Sequence, residues 1–198
     1  MISQFHSDVF RWINDLGKQY SVLNPAVVFL AEYMVYILAV SMMIYWITRS
    51  VQNRMMVLQG GISFIIAEIL GKTAGLIYYH NQPFAVLPEV NQLIEHEIDN
   101  SFPSDHTILF FSICMSYWLF RKKSGWLWLV LACCVAVSRV WVGVHYPVDI
   151  AVGACLGILS AVFVYWIESK SALLAKCLGW YVQIEQRILP SRSKSKDA

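Results

Sequence analysis

Residues 138–149 read SRVWVGVHYPVD. This stretch closes one apolar run, residues 126–144, and opens another, residues 148–167. Pro147 suits the first turn of a helix, where its missing N–H removes no hydrogen bond. Two apolar runs joined by such a turn read as consecutive membrane-spanning helices, because lipid leaves backbone groups no other partner. Yet the junction holds Arg139, His145 and Asp149. Ionisable groups at the edge of a span are costly, and their default reading is functional.

The same reading extends outward. A span takes about 20 mostly apolar residues. Residues 22–47, 55–79 and 107–120 qualify, the second interrupted by Glu68 and Lys72 and the third short unless it starts near Phe102. The expectation is an all-α fold: a polytopic membrane helical bundle with about five transmembrane helices. Composition agrees, since 58% of the 198 residues are hydrophobic and only 14% charged, where soluble domains carry about 25%. Mean hydropathy is +0.53. A net charge of +2 gives no reason to expect a nucleic-acid partner. The five cysteines sit in apolar segments without Cys-x-x-Cys spacing, so buried thiols are expected rather than disulfides or a zinc site. The N-terminus lacks the basic patch and apolar core of a signal peptide.

Charge orients the bundle. Arg49 and Arg54 follow the first span, Arg121, Lys122 and Lys123 the third, and six basic residues from Lys170 to Lys196 lie beyond the fifth. These regions belong in the cytoplasm. Residues 80–105 carry five acids and no Lys or Arg, and belong outside. The expected location is the plasma membrane, multi-pass, with the C-terminus cytoplasmic. Residues 1–190 form a single membrane-embedded domain on this reading, and 191–198 a basic cytoplasmic tail. Phe5, Val9, Trp12, Ile13 and Leu16 fall at helical spacing, as do Val90, Leu93, Ile94 and Ile98. The first set predicts an N-terminal interfacial helix and the second a similar one in the outer loop. Either could instead pack on the bundle as an ordinary amphipathic segment.

Several polar residues converge on the outer end. Ser104 and His106 lie at the entry to the third span, Arg139 near the end of the fourth, and His145 and Asp149 at the turn into the fifth. Lys72 lies roughly 10 Å below the outer end of the second. Two histidines can act as nucleophile and general acid. A carboxylate four residues past one of them can hold its tautomer. Arg and Lys bind phosphate oxygens, and helix N-termini add N–H donors. No carboxylate cluster suggests a divalent metal. The set points to metal-independent, cofactor-free phosphoryl transfer through a phosphohistidine.

Ser138-Arg139, five residues, His145, three residues, Asp149 resembles the third motif of the type-2 phosphatidic-acid phosphatase superfamily. Pro103-Ser104-Asp105-His106 resembles its second, usually Pro-Ser-Gly-His. The wider text SFPSDHT and SRVWVGVHYPVD with five spans most resembles the bacitracin-resistance type of undecaprenyl-diphosphate phosphatase, over about residues 10–187. The resemblance implies that His145 attacks the terminal phosphorus, Asp149 orients His145, and His106 protonates the leaving oxygen and then activates water. Arg139 would clamp the phosphoryl group, with Ser104 and the backbone at Asp105 donating to it. Ser104 could also cap the helix.

The first motif departs from the family pattern of Lys, six residues, Arg-Pro. Here Gln82-Pro83 holds the place of the dipeptide and Gly75 that of the lysine. Lys72, one turn deeper, is expected to replace part of the missing charge, with Gln82 and His80 as further donors; pairing with Glu68 is the alternative for Lys72. Glu32, about ten residues into the first span, is a further candidate.

A site at headgroup level suits a lipid whose chain stays in hydrocarbon. The resemblance implies a polyprenyl diphosphate substrate in a bacterial cell membrane, leaving room for a homo-oligomer. It implies release of undecaprenyl phosphate and inorganic phosphate, and bacitracin resistance by removal of the drug's target. Alternatives are a phosphatase for phosphatidylglycerol phosphate or phosphatidic acid, a non-catalytic subunit of a bacitracin exporter, and a degenerate scaffold.

Overall fold

The structure, a computed structural model, describes residues 4–188. The basic tail expected at 191–198 lies outside them. The described residues are helical with irregular connections and contain no strand. Helix α1 (Gln4–Asn14) and the single turn α2 (Leu16–Gln19) precede a 3-10 turn and α3 (Asn24–Glu32). After a break at Tyr33 comes α4 (Met34–Ile47), bent by 46° from the segment before it. Then follow α5 (Val51–Ile77), the short α6 (Pro83–Val86), α7 (Asp105–Phe120), α8 (Trp126–Trp141), α9 (Pro147–Ser171) and α10 (Leu173–Ile188).

Two helices, α5 with 27 residues and α9 with 25, are long and apolar enough to cross a membrane, and the bent pair makes a third if it is one span. Helices α7 and α8 have 16 residues each. At 1.5 Å per residue that is about 24 Å, short of the roughly 30 Å hydrocarbon core.

Helix α7 is the centre, packed on α5, α8 and α9. Its Phe110, Phe111, Ile113, Cys114 and Tyr117 form the main core with Met34 and Leu38 of α4, Met56 of α5 and Val135 of α8. Close approach of α9 depends on Gly157, where a Cβ would stand 2.9 Å from the Phe111 Cβ and 3.0 Å from the Ile108 carbonyl. The outward faces stay apolar: Ile65, Ile69 and Leu76 of α5 and Leu159 and Phe163 of α9 are exposed. In water such a surface would be a liability, and it fits a lipid solvent. Cys114 is buried, but the other four cysteines are exposed, against the expectation of buried thiols. They sit on apolar faces of helices whose outer sides are not covered by protein.

At one end, Asn14 joins three pieces of chain. Its Nδ2 donates to the carbonyls of Trp141 (2.8 Å) and Asn91 (3.0 Å), and its Oδ1 accepts from the Asn91 N–H (2.9 Å). Helix α1 therefore packs on the bundle through buried Phe10 and Asn14, while Phe5 and Trp12 of the expected apolar stripe remain exposed. The helix expected around Val90, Leu93, Ile94 and Ile98 does not form. Those residues run irregularly, because their backbone is engaged elsewhere, the Leu93 N–H donating to Val142 O at 3.2 Å. At the other end, Arg54 makes a bidentate pair with Glu185 of α10 (2.6 and 2.9 Å), its guanidinium packed against both Trp46 and Tyr181. Arg121 reaches Asn53 at that same end.

Candidate active site

The turn from α8 to α9 is built by Gly143, whose φ of 89° is the left-handed region. A Cβ there would also meet the Asn91 carbonyl at 3.0 Å, so glycine is required on both counts. Tyr146 precedes α9, and its N–H donates to Asp149 Oδ2 at 2.8 Å, so Asp149 caps the helix from within its first turn. This local geometry folds both side chains of the motif inward: His145 and Asp149 are buried.

The loop between α6 and α7 returns across this turn. His145 Nδ1 donates to the Ser101 carbonyl at 3.0 Å and lies 3.2 Å from the Ser101 hydroxyl. The Asp149 carboxylate is farther, at 3.6 Å. The Ser101 hydroxyl donates to Asp149 Oδ2 at 2.7 Å and so stands between the two. The expected direct His145–Asp149 relation is thus mediated by Ser101, which sequence reasoning did not single out. Its only signal was position, three residues before the Ser104 motif. Because Nδ1 carries the hydrogen, Nε2 is left with its lone pair. Burial pushes His145 below the ordinary histidine range, with Asp149 drawing it back and Arg139 adding to the lowering.

Arg139 is buried in the last turn of α8. Its Nη1 donates to the Ala31 carbonyl at 3.0 Å, in the last turn of α3, while its Nε has no partner. A buried donor of this kind is costly unless something accepts from it. Glu32, exposed beside Ala31, acts electrostatically on Arg139. His106, in the first turn of α7, stands close enough to Arg139, His145 and His96 to feel each of their charges. Ser104 is fully buried at the start of α7, but its hydroxyl makes no cap; it accepts from Thr107 Oγ1 at 3.1 Å. His96, also unremarked in the sequence, has its ring centre 6.2 Å from that of His145.

Of three further expected donors, Lys72 and Gln82 are engaged away from His145, and His80 meets Asp149. Lys72 pairs with Asp105 (2.8 Å) and Glu68 (3.3 Å), its side chain 64% exposed. Lys72 and Asp105 belong to a depression of about 440 Å³ lined also by Gly75, Tyr79 and Phe102, with none of His106, Arg139 or His145 in it. The partner of Lys72 is therefore a carboxylate, which explains both the lysine's direction and where Asp105 points. Gln82 is fully buried and engages Asp99 twice, through Nε2 to the carboxylate and Oε1 to the N–H (3.1 Å for the second). His80 turns toward Asp149, with Nε2 3.0 Å from Oδ1 but off the line of a hydrogen bond. It is held there because its carbonyl accepts the Ser101 N–H at 2.8 Å.

The chain is 60% identical over 195 residues to the "Bacitracin transport permease protein BcrC" of Bacillus licheniformis, covering 98% of this chain and 96% of the relative. It is 35% identical to the "Undecaprenyl-diphosphatase BcrC" of Bacillus subtilis, covering 72% and 74%. The crystal structure of Aquifex aeolicus LpxE shares its fold, with a TM-score of 0.69 at 22% identity over 82% of this chain and 96% of that one. The family model of the PAP2 superfamily matches residues 56–172, a range that includes His106, Arg139, His145 and Asp149, and the chain belongs to that superfamily.

Proposed function

We propose that the protein hydrolyses undecaprenyl diphosphate to undecaprenyl phosphate and inorganic phosphate, recycling the cell-wall lipid carrier and so conferring bacitracin resistance. The observation that carries this reading is the His145 imidazole, bonded at Nδ1 and free at Nε2, beside a buried Arg139 with an unpartnered Nε. The named activity of the Bacillus subtilis relative supports the substrate.

In the first step His145 Nε2 attacks the terminal phosphorus, and the bond from phosphorus to the bridging oxygen breaks. His106 gives that oxygen its proton as undecaprenyl phosphate leaves. In the second step His106 takes a proton from water, the water oxygen bonds to phosphorus, and the P–N bond breaks to release phosphate. Arg139 offsets the oxygen charge in both steps, with Ser104 and the Asp105 N–H at the start of α7 as donors. Ser101 and Asp149 hold the His145 tautomer and stabilise its positive charge. No step calls for a metal.

The reading carries a topology. Helices α7 and α8, short as they are, complete a five-span bundle with the bent α3–α4 pair, α5 and α9. The site faces outward at headgroup level, α1 lies along the outer surface, and α10 lies on the cytoplasmic side. The lipid chain stays in hydrocarbon, along the apolar outer faces of the bundle.

The word "permease" in the name of the Bacillus licheniformis relative favours a second reading, an exporter subunit without catalysis. That reading gives no role to a buried Arg–His–Asp set. Phosphate release by purified protein in detergent with EDTA separates the two, with phosphatidic acid and phosphatidylglycerol phosphate as competitors. Release from undecaprenyl diphosphate that resists equimolar competitors is the expected result. Faster release from a competitor moves the substrate within the family, and no release from any lipid supports the exporter subunit.

A further inference from the structure

We propose that His96 binds an oxygen of the substrate's terminal phosphate as an imidazolium, and so takes the place of the cations absent from the first motif. The proposal rests on the reading of His145 as the group that attacks that phosphate. With Lys72 held by Asp105 and Gln82 by Asp99, neither expected substitute faces His145.

His96 does. Its ring stands edge-on to His145, the centres 6.2 Å apart and the planes at 75°. A phosphorus in line for attack sits about 3–3.5 Å from His145 Nε2, and a ring centred 6.2 Å from that of His145 is within reach of its oxygens. His96 Nδ1 donates to the Glu97 carbonyl at 2.8 Å, which fixes the ring. Nε2 has no hydrogen-bond partner among the described residues and is not sealed from the surface. Phe84, with its ring centre 6.4 Å away, backs the other side.

Gln82 supports the same arrangement. Its bonds to Asp99 anchor the loop that carries His96 to the start of α6, which carries Phe84. Gln82 thus holds a titratable group in place where the family pattern supplies a fixed charge.

With Nδ1 committed to a carbonyl, Nε2 donates to phosphate only when the ring is doubly protonated. In the empty site His145 of the α8–α9 turn stands against His96 and His106 of α7 lies within electrostatic reach of it, with Arg139 of α8 acting on both of those histidines. Glu95 and Glu97 flank it in its own loop, and no Lys or Arg stands between residues 80 and 105. An incoming diphosphate places negative charge against the ring and favours the imidazolium. Phosphate binding therefore takes up a proton at His96 and weakens as pH rises through the histidine range.

The test uses purified full-length protein in detergent and orthovanadate as the phosphate probe, with binding measured from pH 5.5 to 8.5 for wild type, His96→Asn and His96→Arg. The ratio of the variant Kd to the wild-type Kd cancels the probe's own titration. For H96N the expected ratio is about tenfold at pH 5.5, falling toward one by pH 8.5. For H96R the ratio stays near one at low pH and drops below one at high pH, because the guanidinium keeps its charge. The KM of wild type for farnesyl diphosphate follows the same pH dependence, while kcat does so less.

An H96N ratio that stays near one across the range overturns the proposal, as does a large ratio that is constant with pH. Folded wild type that binds no vanadate also overturns it. If vanadate binding shows the expected pattern but no isoprenoid diphosphate is hydrolysed, the His96 site stands and the substrate reading fails.

Discussion

Ser101 sets how His145 is used. The histidine bonds to its carbonyl, and its hydroxyl passes the Asp149 charge inward. Ser101→Ala keeps the carbonyl and removes the hydroxyl, so the protein should fold normally with kcat lowered about tenfold. Unchanged kcat would mean that Asp149 acts without this bridge. The pH behaviour follows from the depressed His145. On the proposed mechanism the attacking form is the neutral imidazole, which is more than half populated at the ordinary histidine value of about 6.5 and is lost as pH falls below it. Rapid-quench measurement of phosphoenzyme should show an acid limb centred below pH 6.5; a limb centred at or above 6.5 contradicts the assignment. The sequence made Arg139, His145 and Asp149 legible because they share one short motif on one turn. It left Ser101 and His96 obscure, because both gain meaning only when an irregular loop folds back over that turn, and no periodicity announces such a contact.

At the scale of elements, α5, α7, α8 and α9 are legible as apolar runs, α10 is not, and the loop between α6 and α7 departs from its expected helix. Val90, Leu93, Ile94 and Ile98 have helical spacing, yet long-range hydrogen bonds to Val142 and Asn14 hold their segment open. Periodicity records which side is apolar, and tertiary partners decided the backbone. The break at Tyr33 was likewise invisible inside one continuous apolar run. Asn14 is the test of the connection between α1, the end of α8 and the loop. Asn14→Ala leaves two carbonyls and one N–H without partners in a buried place. It should cost about 2–3 kcal/mol, seen as a lower Tm in detergent, with kcat reduced as the loop loosens over His145. A Tm within a degree of wild type would show that the outer loop is held by other contacts.

The whole molecule presents two chemically different ends. One gathers His80, His96, His106, Arg139, His145 and Asp149; the other carries Arg54, Glu185 and Arg121. Loop charge, which reflects membrane sidedness rather than folding, predicts that the first end lies outside and the second in the cytoplasm. In intact cells an impermeant thiol reagent should label a cysteine placed at Glu95 and spare one placed at Arg121, in a background where the five native cysteines are replaced. The reverse pattern would invert the orientation. The measurement closest to the central claim is phosphate release from undecaprenyl diphosphate by the purified protein with EDTA present, wild type beside His145→Ala. Release by wild type and a loss of about 10³-fold or more in the variant is the predicted result. Near-normal release by folded His145→Ala would contradict the account, because the account assigns the attack on phosphorus to His145 alone.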